Sequence, residues 1–127
     1  MNLLSISLIK FALVGASNTL LGISIIYFCW SVLGLNDLAS NLTGYLVGFM
    51  WSFFANRRWT FLSEAKVSRS MWRYAQVCGA AYLANLAALF MTRDLVSHDG
   101  FLPHILGAVV YTGVAYIGSR YFAFTDG

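Results

Sequence analysis

Four stretches of the chain contain no Asp, Glu, Lys or Arg: Phe11 to Leu33, Leu38 to Ala55, Tyr74 to Thr92, and Phe101 to Ser119. Each holds at least 18 residues, and a helix of that length can cross a hydrocarbon layer of about 30 Å. Four such runs in 127 residues leave too little polar surface to clothe a soluble core. The pattern predicts an all-α membrane protein with four transmembrane helices, over about 11–33, 38–56, 73–92 and 101–120, in a single domain spanning 1–127.

Polar residues punctuate these runs unevenly. Gly34-Leu35-Asn36-Asp37 reads as a tight turn, and Asp99-Gly100 with Pro103 opens the fourth run. Leu62 to Trp72 reads as a longer loop rich in Ser, Lys and Arg, with a lone Glu64. The second run ends abruptly in Asn56-Arg57-Arg58-Trp59-Thr60-Phe61, and the fourth ends in Ser119-Arg120-Tyr121-Phe122-Ala123-Phe124, each residue 63 positions after its counterpart. The same offset sets Lys10 on Arg73, Phe11 on Tyr74, Val14 on Val77 and Gly44 on Gly107. The chain therefore reads as one helical hairpin written twice, with halves at about 1–63 and 64–127. Two hairpins with the same orientation form a parallel repeat.

Charge gives the expected orientation. Lys10, Arg57, Arg58, Lys66, Arg69, Arg73 and Arg120 fall on one side of the four runs, and only Arg93 falls on the other, with Asp37, Asp94 and Asp99. Under the positive-inside rule both termini and the middle loop are cytoplasmic. Met1 to Lys10 lacks the basic start of a cleaved signal peptide, so the first apolar run is expected to remain.

Composition agrees with a membrane setting. Apolar residues make up 59% of the chain and charged residues 10%, against roughly 25% charged in an ordinary soluble domain; mean hydropathy is +0.69. The net charge of +3 is not arranged as a basic stripe on a soluble fold, so nucleic acid is not an expected partner.

Catalytic chemistry is not visible. His98 and His104 are the only histidines, and neither they nor Cys29 and Cys78 have metal-ligand spacing. No metal, no cofactor and no enzymatic activity are expected. None of the four runs holds a carboxylate, which disfavours a proton-coupled pump.

Two groups of residues remain open to a functional reading. Amides within the runs, Asn18 and Asn41 above all, either tie helices together or line a polar path between them. The cations at the run ends either fix topology and touch anionic membrane lipid, or bind phosphate. An arginine fork fits phosphate oxygens, and an aromatic neighbour such as Trp59 can lie against a sugar or at headgroup level.

Val14-Gly15 followed by Asn18-Thr19, then Ala39 and Asn41, then Phe53-Phe54 leading into Asn56-Arg57-Arg58-Trp59-Thr60-Phe61, and the closing Arg120 and Phe124, together resemble the GtrA-like family of small four-helix bacterial membrane proteins. The resemblance spans nearly the whole chain, with two departures: Gly22 stands where many members carry an acidic residue, and Phe122 replaces a second tryptophan. It implies translocation of a polyprenyl-phosphate-linked sugar, such as undecaprenyl phosphate glucose, across the bacterial inner membrane for cell-surface polysaccharide synthesis. The alternative is a scaffold that recruits a polyprenyl-phosphate glycosyltransferase without transporting. On the transport reading Arg57, Arg58, Arg120, Lys10 and Arg73 gather the phosphate, and Asn18, Asn41, Asn56 and Trp59 border the headgroup path. A membrane glycosyltransferase is a candidate further partner, and the close-packing glycines suit a homo-oligomer, most simply a dimer.

Overall fold

The computed structural model describes residues 2–96 and 102–125. His98, the Asp99-Gly100 turn and Phe101 lie outside these residues. The chain divides into two compact units, Met1–Leu62 and Ser63–Gly127, and each is helical.

In the first unit, α1 (Leu3–Ser31) and α2 (Asp37–Ala55) form an antiparallel hairpin, and α2 runs on into a π-helical turn over Asn56–Thr60. Asn2 caps the start of α1, its Oδ1 accepting the Ser5 N–H at 2.8 Å. Gly34, at φ 71°, takes the left-handed backbone that lets the chain leave α1 without strain. Asn36 then caps α2, accepting the Ala39 N–H at 2.8 Å, while Asp37 in the first turn faces the positive end of the helix dipole.

Small residues set how closely these helices approach. A Cβ on Gly44 would stand 2.9 Å from the Gly22 carbonyl oxygen, and one on Gly48 would run into the Asn18 side chain. Phe11, Val14 and Phe53 are buried in this unit, and Phe11 meets Phe61 with ring centres 6.1 Å apart.

The second unit pairs α3 (Val67–Leu95) with α4 (Leu102–Gly118), which continues into a π-helical turn over Ser119–Ala123. Pro103 is buried in the first turn of α4, where its missing N–H costs no helical bond. Gly107 admits the Asn85 side chain, and Gly118 lies against Val77. Tyr74 meets Phe124 with ring centres 5.4 Å apart.

Both long helices begin before the apolar runs do. Starting at Leu3, α1 takes in Lys10; starting at Val67, α3 takes in Arg69 and Arg73, which shortens the expected polar loop. Hydroxyls within the helices mostly bond their own backbone rather than a neighbouring helix: Thr19 to Gly15 O, Thr43 to Ala39 O and Thr112 to Ala108 O. This satisfies each donor within one turn, as an apolar surrounding requires.

The expectation of four transmembrane helices is corrected. Among the described residues three helices are long and apolar enough to cross a bilayer: Leu3–Ser31, Val67–Leu95 and Leu102–Ala123. They make the chain a multi-pass membrane protein. The helix that falls short is α2, whose 19 residues include Asp37, Ser40, Asn41, Thr43, Ser52 and two glycines; freedom from charge over most of its length does not make it apolar enough. With three such helices, the even number of crossings that placed both termini on the cytoplasmic side, and the parallel repeat of two crossing hairpins, no longer follow.

Candidate functional site

The end of α2 is built by an unusual turn. The Phe61 N–H reaches back five residues to the Asn56 carbonyl at 2.8 Å, so the turn is wider than an α-helical one. Asn56 is buried, and its Oδ1 accepts the Thr60 hydroxyl at 2.8 Å. Asn56 therefore holds the turn together from inside, while Arg58 and Trp59 are exposed and Arg57 is half-buried.

Lys10 comes to the same end from α1. Its Nζ lies 5.2 Å from the centre of the Trp59 ring, a cation–π contact. Beside it, a cleft of about 580 Å³ is lined by Val14 and Ser17 from α1 and by Trp51, Phe54, Arg58 and Trp59. Trp51 Nε1 donates to Ser17 Oγ at 2.9 Å, and that hydroxyl in turn donates to Val14 O at 2.8 Å. Among the described residues no acidic side chain lines the cleft, and Arg58 brings it a positive charge.

The second unit has a similar turn but different chemistry. Phe124 N–H bonds Ser119 O at 2.9 Å, again five residues back. Arg73 Cζ lies 4.8 Å over the Phe122 ring, and its Nη1 donates to Phe122 O at 3.2 Å. Arg120 Nη1 donates to the Tyr116 hydroxyl at 3.3 Å, and its Cζ lies 5.5 Å over the Tyr121 ring. Both guanidiniums are thus engaged by their own unit. The positions 63 residues after Ser17, Trp51 and Arg58 hold Ala80, Val114 and Tyr121, so the polar and cationic lining of the first unit's cleft is not reproduced.

Of the residues expected to gather phosphate, the first unit brings Lys10 and Arg58 to one end with Trp59, and the second holds Arg73 and Arg120 against aromatic rings. Asn18 packs against Gly48 between α1 and α2. Asn41 lies on the exposed surface towards the start of α2, its Nδ2 donating to Asp37 O at 3.2 Å, and lines a second cleft of about 390 Å³. Trp51 was not singled out by the sequence reading. Its bond to Ser17 spans 34 residues and depends on hairpin register, for which only the glycines gave a signal.

No group of three or more His, Cys, Asp or Glu side chains is placed to hold a metal among the described residues. Cys29 and Cys78 are free thiols.

The sequence model of the family described as GtrA/DPMS, transmembrane domain matches residues 10–124. The chain belongs to this family. The matched segment begins at the lysine that lies over Trp59 and ends at the phenylalanine that closes the second π-turn. Within the GtrA/DPMS family, the chain is 28% identical over 123 residues to a bactoprenol-linked glucose translocase of Shigella flexneri, covering 96% of this chain and 94% of that protein. It is 26% identical over 121 residues to the bactoprenol-linked glucose translocase of Shigella phage SfX, covering 92% and 93%. A prophage bactoprenol-linked glucose translocase homolog of Escherichia coli (strain K12) is also 26% identical over 121 residues, with the same coverage.

Proposed function

We propose that this GtrA/DPMS-family protein translocates a polyprenyl-phosphate-linked sugar across the bacterial inner membrane, supplying the synthesis of surface polysaccharide. The observation that carries this reading is the cleft between α1 and α2, where Arg58, Trp51, Trp59 and Ser17 converge.

The physical obstacle is the headgroup. A bare phosphate in hydrocarbon costs tens of kcal/mol by a Born estimate, whereas the isoprenoid tail can stay in lipid throughout. Arg58 offers the phosphate a planar set of donors, with Lys10 beside it. The two indoles offer an apolar wall for the C–H face of a pyranose, with the Ser17 hydroxyl bonded to one of them, the mix of aromatic walls and few polar groups typical of ligand clefts. Asn18 and Asn41 lie further along the same hairpin and serve as later polar contacts. Asn56 acts through the turn that presents Arg58 and Trp59.

The cation-bearing end of the cleft is read as cytoplasmic, in keeping with the preference of arginine and lysine for that face. The recurrence of the wide turn and its cation–aromatic contact at an offset of 63 residues supports reading the two units as copies of one ancestral hairpin. On this reading the first copy keeps the headgroup-binding role. A homodimer, and a membrane glycosyltransferase that consumes the delivered sugar, complete the proposed assembly.

Reconstitution tests the proposal. Purified protein in liposomes should speed the exposure of labelled polyprenyl-phosphate glucose to an impermeant reagent at least tenfold over empty vesicles, and Arg58→Gln should remove most of that gain. A protein that inserts normally yet leaves the rate unchanged is a scaffold for the glycosyltransferase instead.

A further inference from the structure

The first unit carries another cleft, of about 390 Å³, towards the opposite end of the hairpin from Arg58. Tyr27 and Trp30 from α1 and Asp37, Ser40 and Asn41 from α2 line it together with two isoleucines. Its chemistry differs from that of the first cleft in one decisive respect: among the described residues its lining contains a carboxylate and no lysine or arginine.

We infer that this is a second, cation-free carbohydrate site, which takes the neutral, hydroxyl-rich ring of the headgroup and rejects its phosphate. Two aromatic side chains, both exposed, supply a surface for the apolar face of a pyranose. The Asp37 carboxylate accepts hydrogen bonds from hydroxyls and repels an anion. Asn41 adds an amide: one N–H is used by Asp37 O at 3.2 Å, and its carbonyl oxygen remains an acceptor of the kind a sugar hydroxyl needs. A lipid acyl chain would use the isoleucines and rings but has no use for Asp37 or Asn41.

The inference rests on the translocation reading for its biological sense. Ser17 and Trp30, one from each cleft, stand 13 residues apart on α1, or about 20 Å at the rise of a helix. The headgroup is then held by phosphate and sugar together at the arginine end and by sugar alone at the far end. Without a cation to retain the phosphate there, the carrier is released rather than trapped.

Binding of a sugar that lacks phosphate isolates this site from transport. With the full chain in lipid nanodiscs and methyl glucoside as probe, saturation-transfer NMR should detect contact with the ring protons. Measured in a Trp51→Ala background, which strips the first cleft of one of its indoles, Trp30→Ala and Asp37→Asn should each reduce the signal at least fivefold, while Trp30→Phe and Lys66→Gln leave it within twofold. No signal from the Trp51→Ala protein, or a signal that Trp30→Ala leaves unchanged in that background, overturns the second site. Because the probe carries no phosphate and does not cross the membrane, failure of liposome transport would sink the translocation reading without altering this result.

Discussion

Thr60 donates its hydroxyl to the side-chain oxygen of Asn56 at 2.8 Å, inside a turn where both residues are buried. The corresponding positions of the second unit are Ala123 and Ser119, and the Ser119 hydroxyl is buried with no hydrogen-bond partner among the described residues. The two wide turns share a backbone but not an interior.

Opposite outcomes are expected from substitutions in these turns. Thr60→Val leaves the Asn56 oxygen buried and unpaired, at a cost of about 1–3 kcal/mol, and Thr60→Ser should restore most of the loss. Ser119→Ala removes a hydroxyl that gains nothing from burial, and should be neutral or stabilising by about 1 kcal/mol. Thermal unfolding in detergent, followed by fluorescence, checks both.

The approach of α1 and α2 gives a second contrast. Gly48→Ala drives a methyl group into the Asn18 side chain and should cost about 1–3 kcal/mol, as overpacking does. Gly15→Ala meets nothing within 4 Å and should stabilise by about 0.5–1 kcal/mol through reduced backbone freedom. Equal effects in an unfolding assay would show that the glycines act through helix propensity and not through packing.

Removing the charge over Trp59 should loosen the end of the first unit only slightly. Lys10→Gln should cost about 0.5–1 kcal/mol, the range for an exposed cation–π contact, and Lys10→Arg should keep the contact. The emission of Trp59, measured with the other three tryptophans replaced by phenylalanine, should shift with Lys10→Gln and stay in place with Lys10→Arg.

The bond between Trp51 and Ser17 is expected to appear as coupling. Trp51→Phe and Ser17→Ala should each destabilise the hairpin, and the double variant should lose about 1 kcal/mol less than the sum, the net contribution of one hydrogen bond. Additive losses would show that the 2.9 Å contact contributes nothing.

Much of the first unit was legible in the sequence because its signals are local. The turn at Gly34-Leu35-Asn36-Asp37 follows from a glycine that tolerates positive φ and an asparagine that caps the next helix. The resemblance carried by Asn56-Arg57-Arg58-Trp59-Thr60-Phe61 led to the family whose model matches residues 10–124. The count of crossings failed because absence of charge was taken as the criterion, and α2 meets it over most of its length while remaining rich in Ser, Asn, Thr and Gly. For the candidate site the sequence marks out a set of cations but no ranking among them. Nothing in the spacing of Arg73 or Arg120 reveals that Phe122 O and the Tyr116 hydroxyl each accept a hydrogen bond from them.

By itself, the sequence determined that the chain is helical, belongs in a membrane, and carries matching arginine–aromatic ends in its two halves. These follow from hydropathy, from cap and turn residues, and from residues that recur 63 positions apart in the order of side chains alone. The tertiary structure decided which of those ends offers an arginine to a cleft and which holds its arginines against its own rings. That choice depends on Ser17 meeting Trp51 and on Lys10 meeting Trp59. Both pairs are distant in the chain, and the register that joins them is set by how closely glycine lets two helices approach.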